Sequence, residues 1–158
     1  MMKNLIFTLL CALSTLSVCA ESEVYIFQSL QTNTDNTIYV DGKEACKLNG
    51  PKKKEQTFQS CVVPIVTNHN AYRKLVIPSD ERLTLTLEMK YTLPMTGEVT
   101  TYKGEVSLDA EDGEVYYYEV VANTMNDMRL APVEMKEVQK RLKNKKKWQE
   151  LETITIEE

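Results

Sequence analysis

The sequence predicts a mainly β protein, an antiparallel β-sandwich with one C-terminal amphipathic helix, and three observations carry that expectation. Leu83, Leu85, Leu87, Met89 and Tyr91 alternate with Thr84, Thr86, Glu88 and Lys90. That period of two puts five apolar groups on one face and polar groups on the other, the pattern of a half-buried strand in an antiparallel sheet. Asp-Gly pairs at Asp41-Gly42 and Asp112-Gly113 punctuate the strands with tight turns. Helical spacing appears only near the end, where Met135, Val138 and Leu142 stand at i, i+3 and i+7.

The chain opens with Lys3, an apolar run from Leu5 to Leu16 and then Ser-Val-Cys-Ala before Glu21. Charge, apolar run and small residues in that order predict a signal peptide over 1–20, with Val18 and Ala20 before the cut and export to the periplasm or the exterior. Leu16-Ser17-Val18-Cys19 partly resembles the lipobox of lipid-anchored proteins but has Val18 where the pattern wants Gly, Ala or Ser. Anchoring at Cys19 is therefore the alternative to simple release. Cleavage leaves 138 residues, 18 basic and 23 acidic, with a formal charge of -5. That length suits a single domain over 21–158. A net-acidic chain has no general footprint for nucleic acid, and no later apolar run approaches the roughly 20 residues of a membrane-spanning helix.

Val24-Tyr25-Ile26-Phe27 is apolar on both faces and suits a strand in the middle of the structure. Ile38 to Lys43 is a strand entering the Asp41-Gly42 turn, and the outgoing strand carries Cys46 and Leu48. Turn type decides which of these faces the core, and a one-residue slip inverts the answer. The alternating strand at Leu83 then turns through Leu93-Pro94-Met95-Thr96-Gly97 into a second run with Tyr102, Val106 and Leu108 on one side. Asp109 to Gly113 is an acidic turn before a strand from Val115 to Ala122. The helix is expected over 132–147, with Pro132 at its first position, Glu134 at its positive end and Lys145 to Lys147 at its negative end. Leu151 to Ile156 reads either as a closing strand or as a frayed tail.

With these elements placed, the chain resembles a PEGA-like bacterial envelope β-sandwich family, a domain of unknown function. The resemblance rests on Ile38-Tyr39-Val40-Asp41-Gly42-Lys43, on Asn70-Ala71-Tyr72 leading to Val76-Ile77-Pro78, on Leu83-Thr84-Leu85 and on Gly113-Glu114-Val115-Tyr116-Tyr117. It covers about Val24 to Leu142 and implies an exported or lipid-anchored sandwich with no catalytic residues to carry over. Pro78-Ser79-Asp80 departs from the Pro-Gly of the family pattern. About twenty residues from Gly50 to His69 stand where that pattern runs on almost directly, and such an insertion is a candidate for function.

Reactive chemistry finds little support. His69, the one histidine, stands between asparagines with no second nitrogen or sulfur ligand nearby. Asp109, Glu111, Asp112 and Glu114 crowd one turn without the order of a dedicated calcium loop. No nucleophile elbow, zinc-binding His pair, phosphate loop or Cys-x-x-Cys is present, so no catalytic residue, cofactor or metal is expected. Contact is expected instead at Lys52, Lys53 and Lys54 in the insertion and at Tyr117 and Tyr118, where alternation sends neighbouring tyrosines to opposite faces. Lys143 to Lys147 read as solvated charge. In an oxidising compartment Cys46 and Cys61 are expected to pair, stapling the insertion to the sandwich. The leading functional expectation is a non-catalytic exported module that binds a protein or another envelope component. A glycan-binding module using sheet tyrosines is the alternative, and a hydrolase assembled from distant residues the third class.

Overall fold

The computed structural model describes residues 21–31, 34–48, 68–79, 81–93, 95–122 and 128–157. The strands are β1 (Glu21–Gln31), β2 (Thr34–Val40), β3 (Lys43–Lys47), β4 (Asn68–Pro78), β5 (Arg82–Thr92), β6 (Val99–Asp109), β7 (Val115–Ala122) and β8 (Met128–Pro132). Helix α1 (Met135–Lys143) follows, then β9 (Trp148–Glu150) and β10 (Ile154–Thr155). They form a mainly β sandwich of two sheets with a single helix. The smaller sheet runs β3-β2-β5-β6; the larger runs β10-β4-β1-β7-β8, with β9 also on β4.

Antiparallel pairing holds throughout the smaller sheet. The larger sheet is mixed: β1 pairs antiparallel with β4 but parallel with β7, and β9 and β10 join β4 in parallel. The two-faced apolar pattern of β1 accounts for this difference. Val24 and Ile26 point into the core between the sheets, while Tyr25 and Phe27 point the other way, into a second cluster under α1. A strand covered on both faces is the environment in which parallel neighbours occur.

The core between the sheets takes Val24, Ile26, Leu75, Ile77, Tyr118, Met128 and Leu130 from one side, and Ile38, Val40, Leu83, Leu85, Leu87 and Leu108 from the other. The β5 alternation therefore does what its sequence requires, with Leu83, Leu85 and Leu87 buried and Thr84 and Thr86 on the opposite face. Opposite it on β6, Tyr102, Val106 and Leu108 face inward, and the connecting turn closes through Gly97 N–H to Leu93 O at 2.8 Å.

The open register at Asp41-Gly42 resolves as a two-residue hairpin. Both residues have positive φ, 48° and 79°, the type I′ geometry that matches strand twist. A bulge between Ile38 and Tyr39 then brings Cys46 opposite Ile38, so both are buried. Asp41 ties this tip to β5, its N–H donating to Thr84 O at 2.9 Å and its Oδ1 accepting from Thr84 N–H at 2.7 Å.

The helix is shorter than the expected 132–147. Pro132 ends β8, and Val133 N–H still donates to Tyr117 O at 2.9 Å, so the backbone is held to the sheet past the point where a helix was expected to begin. Val138 and Leu142 pack on the larger sheet, but Met135 is 53% exposed and leaves the stripe narrower than its spacing suggests. Arg141 fastens the helix instead. Its guanidinium lies 5.4 Å from the Phe27 ring centroid and 5.1 Å from that of Trp148, and it donates to Glu119 at 2.6 Å. Beyond the helix the chain returns to β4: Leu151 N–H donates to Tyr72 O and Ile156 N–H to Val76 O, and within 151–156 the strand itself is only Ile154–Thr155.

Candidate functional site

A sandwich has two lateral edges, and here they differ. On one side β6 and β8 come together at Gly104, where a Cβ would overlap Met128 O and stand 2.8 Å from Arg129 Cα. Glycine is required because backbone meets backbone. On the other side β3 and β10 leave an open cleft of about 510 Å³. Its lining includes Val40, Ala45, Leu83, Ile154 and Ile156, and among the described residues Asp41, Glu44, Glu81 and Glu157 stand there against one cation, Lys43.

The open edge is closed at one end by Arg73. Arg73 is opposite Ile26 in the β1–β4 register and so faces the core side of the sheet. Its guanidinium donates to Lys47 O on β3 at 2.9 Å and to Glu152 O, between β9 and β10, at 2.6 Å. One side chain thus bridges the two sheets, and an inward-pointing charge of this kind blunts an exposed edge. Behind it lies a polar tie between sheets: Gln28 Nε2 donates to Leu48 O, and Asn36 Nδ2 donates to Gln28 Oε1 at 3.2 Å. Gln28 and Asn36 are buried, so these bonds satisfy groups that would otherwise cost stability. The edge is sealed near Lys47 and open near Lys43. Among the described residues β3 pairs only with β2 and β10 only with β4, which leaves a strand edge on either side of the cleft.

Cys46, on the same edge strand, is buried and has no disulfide partner among the described residues. Burial pushes it up to about 11, Glu44 adds to the rise and Arg73 opposes it. Its expected partner Cys61 lies outside the described residues, as do Lys52, Lys53 and Lys54 and the signal segment 1–20. Most of the insertion expected over 50–69 falls outside them too. β4 begins at Asn68, so the last two positions of that span belong to a strand, with His69 paired to Leu30.

The tyrosine run divides as alternation requires. Tyr118 is 8% exposed and belongs to the core, which removes it from any contact surface. Tyr116 is structural: its hydroxyl donates to Asp109 O at 3.0 Å and accepts from Glu111 N–H at 3.1 Å, shaping the acidic turn. Within that turn Asp109 meets Arg82 at 3.8 Å, and among the described residues no three His, Cys, Asp or Glu side chains gather to hold a metal. Tyr117 alone of the three points to the helix-bearing face, its ring 5.3 Å from that of Tyr25. Beside this pair Glu23 accepts from Tyr25 Oη at 3.3 Å and pairs with Lys74 at 2.8 Å.

Sequence reasoning missed Arg73, Gly104 and Tyr25. Each left a signal: a charge within the Ala71, Arg73, Leu75, Ile77 face, a glycine inside an alternating strand, and a tyrosine two-faced with its neighbours. No protein-family model, curated protein or solved structure matches the chain.

Proposed function

We propose that the protein is an exported, non-catalytic β-sandwich module that binds another envelope protein by taking an extended segment of it along the open edge between β3 and β10. The carrying observation is the 510 Å³ cleft with strand edges on both sides and apolar groups between them. A strand added there gains main-chain hydrogen bonds, and alternate side chains enter the cleft to give specificity. Four carboxylates against one lysine favour basic residues at the outward positions of that segment. Among the described residues no helix is long and apolar enough to cross a membrane.

The test is fluorescence anisotropy with synthetic extended peptides that alternate apolar and basic residues, compared with acidic counterparts. Binding of the basic set, lost on Ala45→Arg in a protein that still folds, is the expected result. Equal binding by Ala45→Arg, or turnover on a hydrolase panel abolished by Asp109→Asn or Asp112→Asn, overturns the reading.

The Tyr25–Tyr117 pair favours a second reading, a glycan-binding face. Two neighbouring rings offer stacking surfaces for a sugar, and the Glu23–Lys74 pair offers hydroxyl partners. Tyr117→Ala that stays folded but loses polysaccharide binding supports it; absence of binding by the intact protein counts against it.

A further inference from the structure

We propose that the outward side of α1 and the turn after it form a cationic platform that docks on a phosphate-bearing anionic lipid surface. Lys136, Lys140, Lys143, Lys145 and Lys146 line one shallow depression with Gln139 and Asn144. All five lysines are exposed. Residues 135–147 hold six lysines and one glutamate in a chain whose formal charge is -4, so this surface is a local inversion of the whole.

Helix stability explains only part of it. Lys140 and Lys143 near the C-terminus complement the macrodipole, but Lys136 sits in the first turn, where a cation is disfavoured. Lys145, Lys146 and Lys147 follow one another in a turn that Asn144 holds: its backbone O accepts from Lys147 N–H at 3.0 Å and from Trp148 N–H at 2.9 Å. Among the described residues only Lys140 of this set makes an ion pair, with Glu137 at 3.3 Å. Arg141, on the same helix, spends its charge inward on Glu119 and the Phe27 and Trp148 rings. The inward cation is structural, and the outward ones are left to solvent or to a partner.

The chemistry favours an extended anionic surface over a small anion or a nucleic acid. Lysines are point charges on flexible stems that sense charge rather than the shape of one group. Among the described residues the depression holds no aromatic ring on which a base could stack and no buried donor that would build a pocket around a single phosphate. Basic clusters of this size are what anionic headgroups attract, and the attraction is screened within a Debye length.

Vesicle co-sedimentation tests this with phosphatidylcholine alone and with about one third phosphatidylglycerol, at low and high salt. Binding is expected to the anionic vesicles only, lost by about 0.5 M salt. The triple change Lys136→Glu, Lys143→Glu and Lys146→Glu is expected to weaken it more than about 10-fold, while Arg at the same positions preserves it. Thr101→Glu with Ser107→Glu, exposed on β6 of the other sheet, adds negative charge away from the platform and is expected to retain binding. Circular dichroism confirms that each variant folds. Equal binding to neutral vesicles, indifference to the triple change, an equal loss in the β6 control, or capture by soluble polyphosphate with none by vesicles each overturns the proposal.

Discussion

The two lateral edges of the sandwich solve the same problem by opposite means. Where β6 meets β8, a side chain has been deleted: Gly104 lets two backbones touch, and the edge is closed by proximity. Where β3 faces β10, a side chain has been added: Arg73 reaches across to two carbonyls and holds the sheets together at one point while they stay apart beyond it. A closed edge leaves no room for a partner. An edge held at one end, by Arg73 and the Gln28–Asn36 tie behind it, leaves a cleft with strand edges beside it, and the asymmetry makes this side the candidate for recognition.

Breaking the closed edge is expected to have the largest effect. Gly104→Ala places a methyl group against the Met128 and Arg129 backbone, which no rotamer can relieve, so β8 must move away from β6. Urea denaturation is expected to show a loss of about 3 kcal/mol, the upper range for overpacking. A loss under about 0.5 kcal/mol would mean that the edges do not touch as described.

Breaking the bridge at the open edge comes next. Arg73→Ala removes two charge-assisted hydrogen bonds, but the carbonyls it leaves are near solvent and can take water, so the expected cost is about 1–2 kcal/mol. The second consequence is specific to an edge. Without the inward charge β3 and β10 become a longer template, and sedimentation is expected to show more self-association in Arg73→Ala than in the parent. An unchanged sedimentation profile would leave Arg73 a packing residue and weaken its assignment as an edge guard.

Legibility from sequence follows the same division. The β5 alternation and the Asp41-Gly42 hairpin were readable because their determinants are local: period two, and positive φ at two neighbouring residues. The two-faced apolar pattern of β1 placed it centrally, though not its parallel pairing with β7, which joins residues about ninety positions apart. Both edges lie beyond local reading for that reason. Gly104 and Arg73 acquire meaning only when β8, β3 and the β9–β10 link are brought beside them. Tyr118 fell to the core although its neighbour Tyr117 did not, since alternation separates faces without saying which one is covered. Pro132, a good first helical residue, ended a strand because β7 held the next backbone N–H.

The smallest effect, on reactivity rather than stability, sharpens where the open edge stops being open. Cys46 is on β3, the strand beside the cleft, yet its thiol is buried and pushed up to about 11. Thiolate is the reactive form, so a raised value means less of it at any pH below about 11 and a reaction rate that climbs as pH approaches that point. At pH 8 alkylation by iodoacetamide is expected to run at least about 100-fold slower in the folded protein than after unfolding under reducing conditions. Fast labelling of the folded protein would mean that the cleft extends behind β3 and that Arg73 does not seal it. Unfolding without reductant then separates two sources of protection. A Cys46 that becomes reactive was shielded by burial alone, whereas one that stays unreactive until reduced is bonded to another thiol, with Cys61 the expected partner in the exported protein. The first outcome puts the chemistry of this edge in its packing, the second in a covalent staple between β3 and the segment leading to β4.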